Sequence, residues 1–139
     1  LAALDVQPVQ VSDLHSGYAE EALRCGNSYS VTYGERIIAC GGLYEIWPSR
    51  WGAWTILSGS MSPLGFRHLH GIVRSILKEH PVPRLETTVL GPPPAPGIET
   101  RQTFVNGHAW AGLLGFRFEG VMRKYDPLGY DHSLYARVL

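Results

Sequence analysis

The chain has 139 residues, with 12 basic and 12 acidic side chains and a formal net charge of zero at pH 7. That balance excludes a partner held mainly by phosphate neutralisation, such as nucleic acid, although it leaves room for a local patch that holds one small anion. With 45% apolar and 17% charged residues the composition excludes disorder, and the length predicts a single domain spanning 1–139.

No apolar run approaches the roughly 20 residues that a membrane helix needs, so no membrane span is predicted. The opening stretch, Leu1 to Val11, has neither the basic start nor the small-residue cleavage site of a signal peptide. Cys25 and Cys40 read as separate thiols in a reducing cytosol rather than as a disulfide. The six histidines (15, 68, 70, 80, 108 and 132) show no metal-ligand spacing with cysteines or carboxylates, so no metal site is predicted. No Walker loop, G-x-S-x-G or Cys-His signature is present.

Along the chain, Pro8 interrupts the apolar stripe of LAALDVQPVQVSDL, and Asp13 caps a helix from Leu14 to Arg24 that Gly26-Asn27 ends. A start on apolar LAAL without a capping residue predicts a first strand ahead of Leu1 in the natural protein. Alternation over Ser28–Tyr33, a Gly34-Glu35 turn and a strand over Arg36–Trp47 predict a β-hairpin. Trp47 to Arg50 turns the chain into a third strand, Gly52–Ser58. A helix then runs from Pro63 or Leu64 to Glu79, with Phe66, Leu69, Ile72, Val73, Ile76 and Leu77 on one face. Arg84–Leu90 alternates as a strand, and GPPPAPG (Gly91 to Gly97) reads as a stiff loop. Thr103–Leu114 predicts a helix with Gly115 at its C′ position, followed by a closing hairpin of Phe116–Tyr125 and His132–Val138. The order predicts an α/β (α+β) domain around one mixed sheet.

Two stretches carry a resemblance to a known superfamily. The first is FVNGHAWAGLLGFRFEGVMRKYDPLGYDHSLYARV, matched at Leu114-Gly115-Phe116, Glu119-Gly120, Arg123, Asp131 and Tyr135. The second is the hairpin into GAWTILS with its following helix and RLETTVL. Over roughly Asp13 to Val138 the chain resembles the GNAT-type N-acetyltransferases. The helix F-x-x-G-H-x-W-x-x-x-L-G-F (Phe104 to Phe116) is similar to a divergent bacteriophage and prophage group, which includes an internal virion assembly protein of short-tailed phages. The resemblance implies a twisted, mostly antiparallel sheet with a central parallel strand pair, the Gly52–Ser58 and Arg84–Leu90 strands.

It also implies acetyl-CoA as cofactor, with pyrophosphate on the N–H groups that open the helix after the third strand, where the helix dipole favours an anion. The equivalent residues are Ser60, Ser62, Gly65 and Arg67, although the family's double-glycine signature is absent and Pro63 lacks a donor. SGSMSP reads equally as a simple loop and N-cap. Thr55, Ile56 and Leu57 fall where the pantetheine arm runs, and His108 opens the closing helix beside a ligand or backbone partner. The family's acid, a tyrosine four positions before the glycine of Leu-Gly-Phe, is replaced by Ala111, and neighbouring Trp110 cannot serve a thiolate.

Glu45 and His68 are the candidate bases for the acceptor amine; each also reads as a solvent-facing side chain. Arg123 and Asp131 are expected to tie the closing hairpin together. The wall of the acceptor site falls in Val9 to Asn27, where Asp13, Glu20 and Glu21 fit a cationic amine or a solvated helix face. The function implied is acetyl transfer from acetyl-CoA to an amine, in a bacterial cytoplasm. The alternative is a catalytically degenerate GNAT-fold phage protein that works through contacts with virion or host proteins and is associated with the virion.

Overall fold

The structure is a computed structural model that describes residues 26–94 and 107–139. The helix expected over Leu14 to Arg24, Cys25, the segment ahead of the first hairpin and the first half of the Thr103–Leu114 helix lie outside the described residues.

Among the described residues six strands form one sheet: β1 (Gly26–Tyr33), β2 (Arg36–Trp47), β3 (Arg50–Leu57), β4 (Arg84–Leu90), β5 (Arg117–Met122) and β6 (His132–Val138), in the order β1-β2-β3-β4-β6-β5. Helix α1 (Pro63–Glu79) links β3 to β4, and α2 (Gly107–Leu113) precedes β5. All neighbouring strands run antiparallel except β3 and β4.

Local chemistry explains the corners. Gly34, at φ +64°, takes the first central position of the two-residue β1–β2 turn, which a type II′ hairpin turn reserves for glycine. Ser62 caps α1: its Oγ accepts from the Gly65 N–H at 3.0 Å, with Pro63 in the first turn. Gly115, at φ +87°, ends α2 in a Schellman cap, with Phe116 N–H donating to Ala111 O and Gly115 N–H to Gly112 O, both at 3.0 Å.

Period-two alternation sorts the sheet into two faces. Leu43, Leu57, Leu85 and Tyr135 pack under the two helices with Leu69, Leu77, Trp110, Ala111 and Phe116. Cys40, Trp54 and Ile56 cluster on the opposite face with Ile37 and Tyr44. Cys40 is a buried free thiol. Gly42 and Gly52 are demanded by this second face. A Cβ on Gly42 would stand 2.5 Å from Asn27 O, and one on Gly52 would stand 2.2 Å from the Tyr44 ring that covers it.

Several boundaries differ from the sequence expectation, and β1 starts at Gly26 rather than Ser28 because Gly26 and Asn27 pair with Tyr44 and Leu43. β3 starts at Arg50, not Gly52, because Arg50 pairs with Trp47 across the Pro48-Ser49 turn and with Arg84 on β4. Phe116 precedes β5 because its N–H is spent on the α2 cap. β5 stops at Met122, short of Tyr125, because Tyr125 and Asp126 both donate their N–H groups to Tyr130 O and close a loop. Among the described residues no helix is long and apolar enough to cross a membrane.

Phe116 is 6% exposed and seals the cluster between α2 and the sheet. Phe116→Ala is expected to lower unfolding free energy by about 3–5 kcal/mol, the usual range for a buried aromatic, as read by urea denaturation.

Candidate functional site

The parallel pair β3–β4 is joined by three register pairs only, Arg50↔Arg84, Trp51↔Leu85 and Gly52↔Glu86. Beyond Gly52, β3 follows β2 and β4 follows β6, so the two strands part and a cleft opens toward Leu57 and Leu90. Ionic chemistry clamps the closed end. Glu86, 8% exposed, accepts two hydrogen bonds from Arg50 (2.7 and 2.8 Å) and one from Arg84 (2.6 Å). Arg84 also reaches Glu119 on β5 with both terminal nitrogens, and Arg50 lies 4.6 Å over the Trp47 ring. The Arg50 hydrogen bond, opposed by burial and aided by Arg84, holds the Glu86 carboxyl below the usual range, and the bonds to Glu119 and Glu86 raise the Arg84 guanidinium further. A shallow hollow of about 560 Å³ lies over this network between Trp47 and Leu134.

At the open end, β3 delivers the chain through Ser58–Ser62 into α1. Ser58 N–H donates to Ile38 O at 2.9 Å, which docks the loop on β2. Arg36 Nη2 donates to Ser60 Oγ at 2.9 Å, and the ring of Tyr33 lies 5.5 Å from that of His68. The β1–β2 turn therefore closes against the start of α1, whose first turn holds no acidic side chain.

These contacts locate the sequence candidates. Thr55, Ile56 and Leu57 lie on the parted half of β3, with Ile56 and Leu57 buried on opposite faces. Ser60, Ser62, Gly65 and Arg67 gather where α1 begins, but the Gly65 N–H serves the Ser62 hydroxyl and the Ser62 carbonyl takes Phe66 N–H at 2.9 Å. Arg67 is exposed. His68 also stands there, exposed beside Tyr33, whereas Glu45 is exposed at the closed end, opposite Trp51 on β2. The two candidate bases are thus not brought together.

His108, on the helix face, contacts Leu90 O through Nε2 (3.2 Å) and Tyr135 Oη through Nδ1 (2.9 Å), so Nε2 donates and the phenol donates to Nδ1. Burial, partly offset by the Leu90 bond, pushes the His108 pKa down, and burial pushes the Tyr135 phenol up. Ala111 is 5% exposed in the cluster that contains Tyr135. Arg36 was missed because β2 offers no cofactor signal in sequence; only the β2–β3 register carries it to Ser60.

The opposite face holds a second polar group. The β5–β6 loop winds around Asp126, whose Oδ1 accepts from Leu128 N–H (3.0 Å) and Tyr130 N–H (2.9 Å) while Oδ2 contacts His132 Nε2 at 3.0 Å. Burial acts to raise the Asp126 carboxyl, but the bonds from His132, Tyr130 and Leu128 outweigh it and hold it below the usual range. Asp131 Oδ1 accepts from Lys124 N–H, so the expected hairpin tie runs through Asp126 and Asp131 to backbone rather than through Arg123. The Tyr125 ring lies tilted by 56° against that of His132 with centroids 5.2 Å apart, and burial first, then Tyr44 and Glu86, raise its phenol.

No protein-family model matches this sequence, and no curated protein is significantly similar to it. Solved structures are similar in shape. An IAA acetyltransferase from Bacillus cereus superposes with a TM-score of 0.68 at 16% identity, covering 94% of this chain and 89% of that one. A Bacillus subtilis acetyltransferase in complex with CoA gives 0.66 at 13% identity, covering 94% and 88%. A GNAT family acetyltransferase from Elizabethkingia anophelis with acetyl-CoA bound gives 0.64 at 14% identity, again covering 94% and 88%. The chain therefore has the GNAT fold, with its mixed six-stranded sheet and single parallel pair.

Because the folded-state pKa of Glu86 is depressed, its stabilisation is present above the ordinary glutamate value of about 4.3 and is lost as pH falls through the folded value. Glu86→Gln is expected to cost about 1.5–3 kcal/mol at pH 7, the range for hydrogen bonds to charged groups. The gap from wild type should narrow in acid when urea unfolding is followed at both pH values.

Proposed function

We propose that the protein binds acetyl-CoA in the cleft between β3 and β4 and transfers the acetyl group to an amine. The observation that carries this reading is the three-pair β3–β4 ladder, which ends at Gly52↔Glu86 while β3 runs on into an uncharged serine-rich loop, met by Arg36, and a helix start without acidic side chains. Acetyl-CoA or CoA is bound in GNAT-fold structures of the same shape.

The residues at the α1 entry fit an anionic group through charge more than through backbone donors. Arg36 reaches Ser60 in the loop, Arg67 stands exposed near the start of α1, and no carboxylate stands in the first turn to repel a phosphate. Pro63 has no N–H, and the Gly65 N–H is already taken by Ser62. A pyrophosphate is therefore held chiefly by guanidinium groups and hydroxyls, with Ser62 Oγ free to rotate away and release one helix donor. Thr55 to Leu57 would line the thioester arm, and acetyl-CoA would supply the acetyl carbonyl as the electrophile. The family's tyrosine acid has no counterpart on α2, where Ala111 fills the place.

That same alanine favours a second reading, a GNAT-fold protein of the phage type that has lost transfer and acts through virion or host-protein contacts. The two readings part at cofactor binding. Isothermal titration of the full chain with acetyl-CoA is expected to show binding, with Arg36→Ala and Arg67→Ala each weakening it by roughly ten- to a hundredfold, since about 1.4 kcal/mol is tenfold. No binding by the wild type at millimolar acetyl-CoA would leave the second reading.

A further inference from the structure

We propose that the hollow of about 560 Å³ over the closed end of the β3–β4 ladder is the acceptor subsite, and that it takes an apolar α-amino acid by its carboxylate and its side chain. The inference deepens the acyl-transfer reading above and rests on it.

The lining carries two kinds of chemistry. Trp47, Leu134 and Val138 are apolar, and Trp47 and Val138 stay 50% and 66% exposed. Arg50, Arg84 and Glu86 supply the charge. Arg50 donates to Glu86 through Nε and Nη2, at 2.7 and 2.8 Å, and among the described residues its Nη1 donates to no group. Its side chain is 33% exposed and lies 4.6 Å over the Trp47 ring. Arg84, by contrast, has all three guanidinium nitrogens engaged by Glu86 and Glu119. The hollow therefore keeps one guanidinium edge open to an anion.

Charge decides what can enter. Both Glu86 oxygens already accept from guanidinium groups, so no carboxylate among these lining residues is left to attract a cation. A polyamine meets two arginines and no open counter-charge. A carboxylate meets the Nη1 edge of Arg50, and an apolar group beside it covers Trp47, Leu134 and Val138 and removes their surface from water. An amino acid with an apolar side chain carries both features next to its amine.

Position joins the hollow to the reaction. Glu86 lines it and also forms the last β3–β4 pair with Gly52, so the hollow reaches the point where the strands part. Register sets Glu86 opposite Ala136 and Thr88 opposite Leu134, and alternation keeps all four on the face away from α1 and α2. Thr88 is exposed, so the way from hollow to cleft along β4 crosses open surface. An arm that enters from the open end is stopped at the same Gly52↔Glu86 pair. In the transfer the amine lone pair forms the C–N bond to the acetyl carbon, the C–S bonding pair leaves with sulfur, and the N–H proton reaches that thiolate through water.

Phenylalanine and phenethylamine differ only by the carboxylate, so comparing them reads the Arg50 contact. With acetyl-CoA and the full chain, kcat/KM for phenylalanine is expected to exceed that for phenethylamine by about ten- to a hundredfold, the range for a hydrogen bond to a charged group, with spermidine the poorest of the three. Arg50→Met should abolish that preference. Because Arg50 also holds Glu86, Ser49→Glu tests the same point with the clamp intact. It sets a carboxylate on the rim of the hollow and should raise KM for phenylalanine about tenfold more than KM for phenethylamine. Without acetyl-CoA, proton–nitrogen NMR of the wild type should show millimolar phenylalanine shifting the Trp47 indole signal, assigned by its loss in Trp47→Phe. A wild type that acetylates phenethylamine or spermidine as readily as phenylalanine, or a Trp47 signal that stays fixed, overturns this proposal alone. A wild type that neither binds acetyl-CoA nor acetylates any of the three amines removes the acyl-transfer reading and this inference with it.

Discussion

Three ladder pairs between β3 and β4, tied across by Glu86 and its two arginines, fix the geometry on which the rest of the structure depends. A parallel pair that continued to Leu57 and Leu90 would leave a flat sheet with no opening. Among the described residues β1–β2–β3 and β4–β6–β5 share this one ladder, and the cluster of Leu43, Leu77, Leu85 and Tyr135 packs both halves under the helices. Glu86 is buried and would be costly alone, yet two guanidinium groups satisfy both of its oxygens, and Glu119 in turn neutralises Arg84. The network holds one end shut so that the other can stand open.

The opening divides the molecule chemically. On the helix face it is bordered by packed side chains, with Leu57, Leu69 and Trp110 in one cluster and Leu85, Ala111 and Tyr135 in another. The Trp110 indole donates to His70 Nδ1 at 3.1 Å and ties the two helices together over the sheet. At its mouth the chain gathers Arg36 and three serines, Ser58, Ser60 and Ser62. The opposite face is lined by tyrosines, an imidazole and the ionic clamp. On the proposed reading, an anionic, thin-armed cofactor would meet the first two surroundings.

Much of the fold was legible in the chain itself. Alternating residues marked β4 and β6 at their observed ends, Gly34 and Gly115 marked a turn and a helix stop that each require a left-handed backbone, and Ser62-Pro63 marked the start of α1. The parallel pair was implied by the resemblance, and the helix between β3 and β4 is the crossover that such a pair requires. Period and capping are local, so sequence determines them.

The site was less legible, because its members are distant in sequence and joined by register. Arg36 and Ser60 lie 24 positions apart, and Arg50 and Glu86 lie 36 apart; nothing in either local pattern couples them until β2, β3 and β4 align. Glu45 and His68 carried the right chemistry for a base, but folding sends them to opposite ends of β3. Arg50 looked like one more residue of a turn. What makes it distinctive is the buried Glu86 carboxylate on one side of its guanidinium and the Trp47 ring beneath it, and burial and partnership are properties that tertiary structure alone confers.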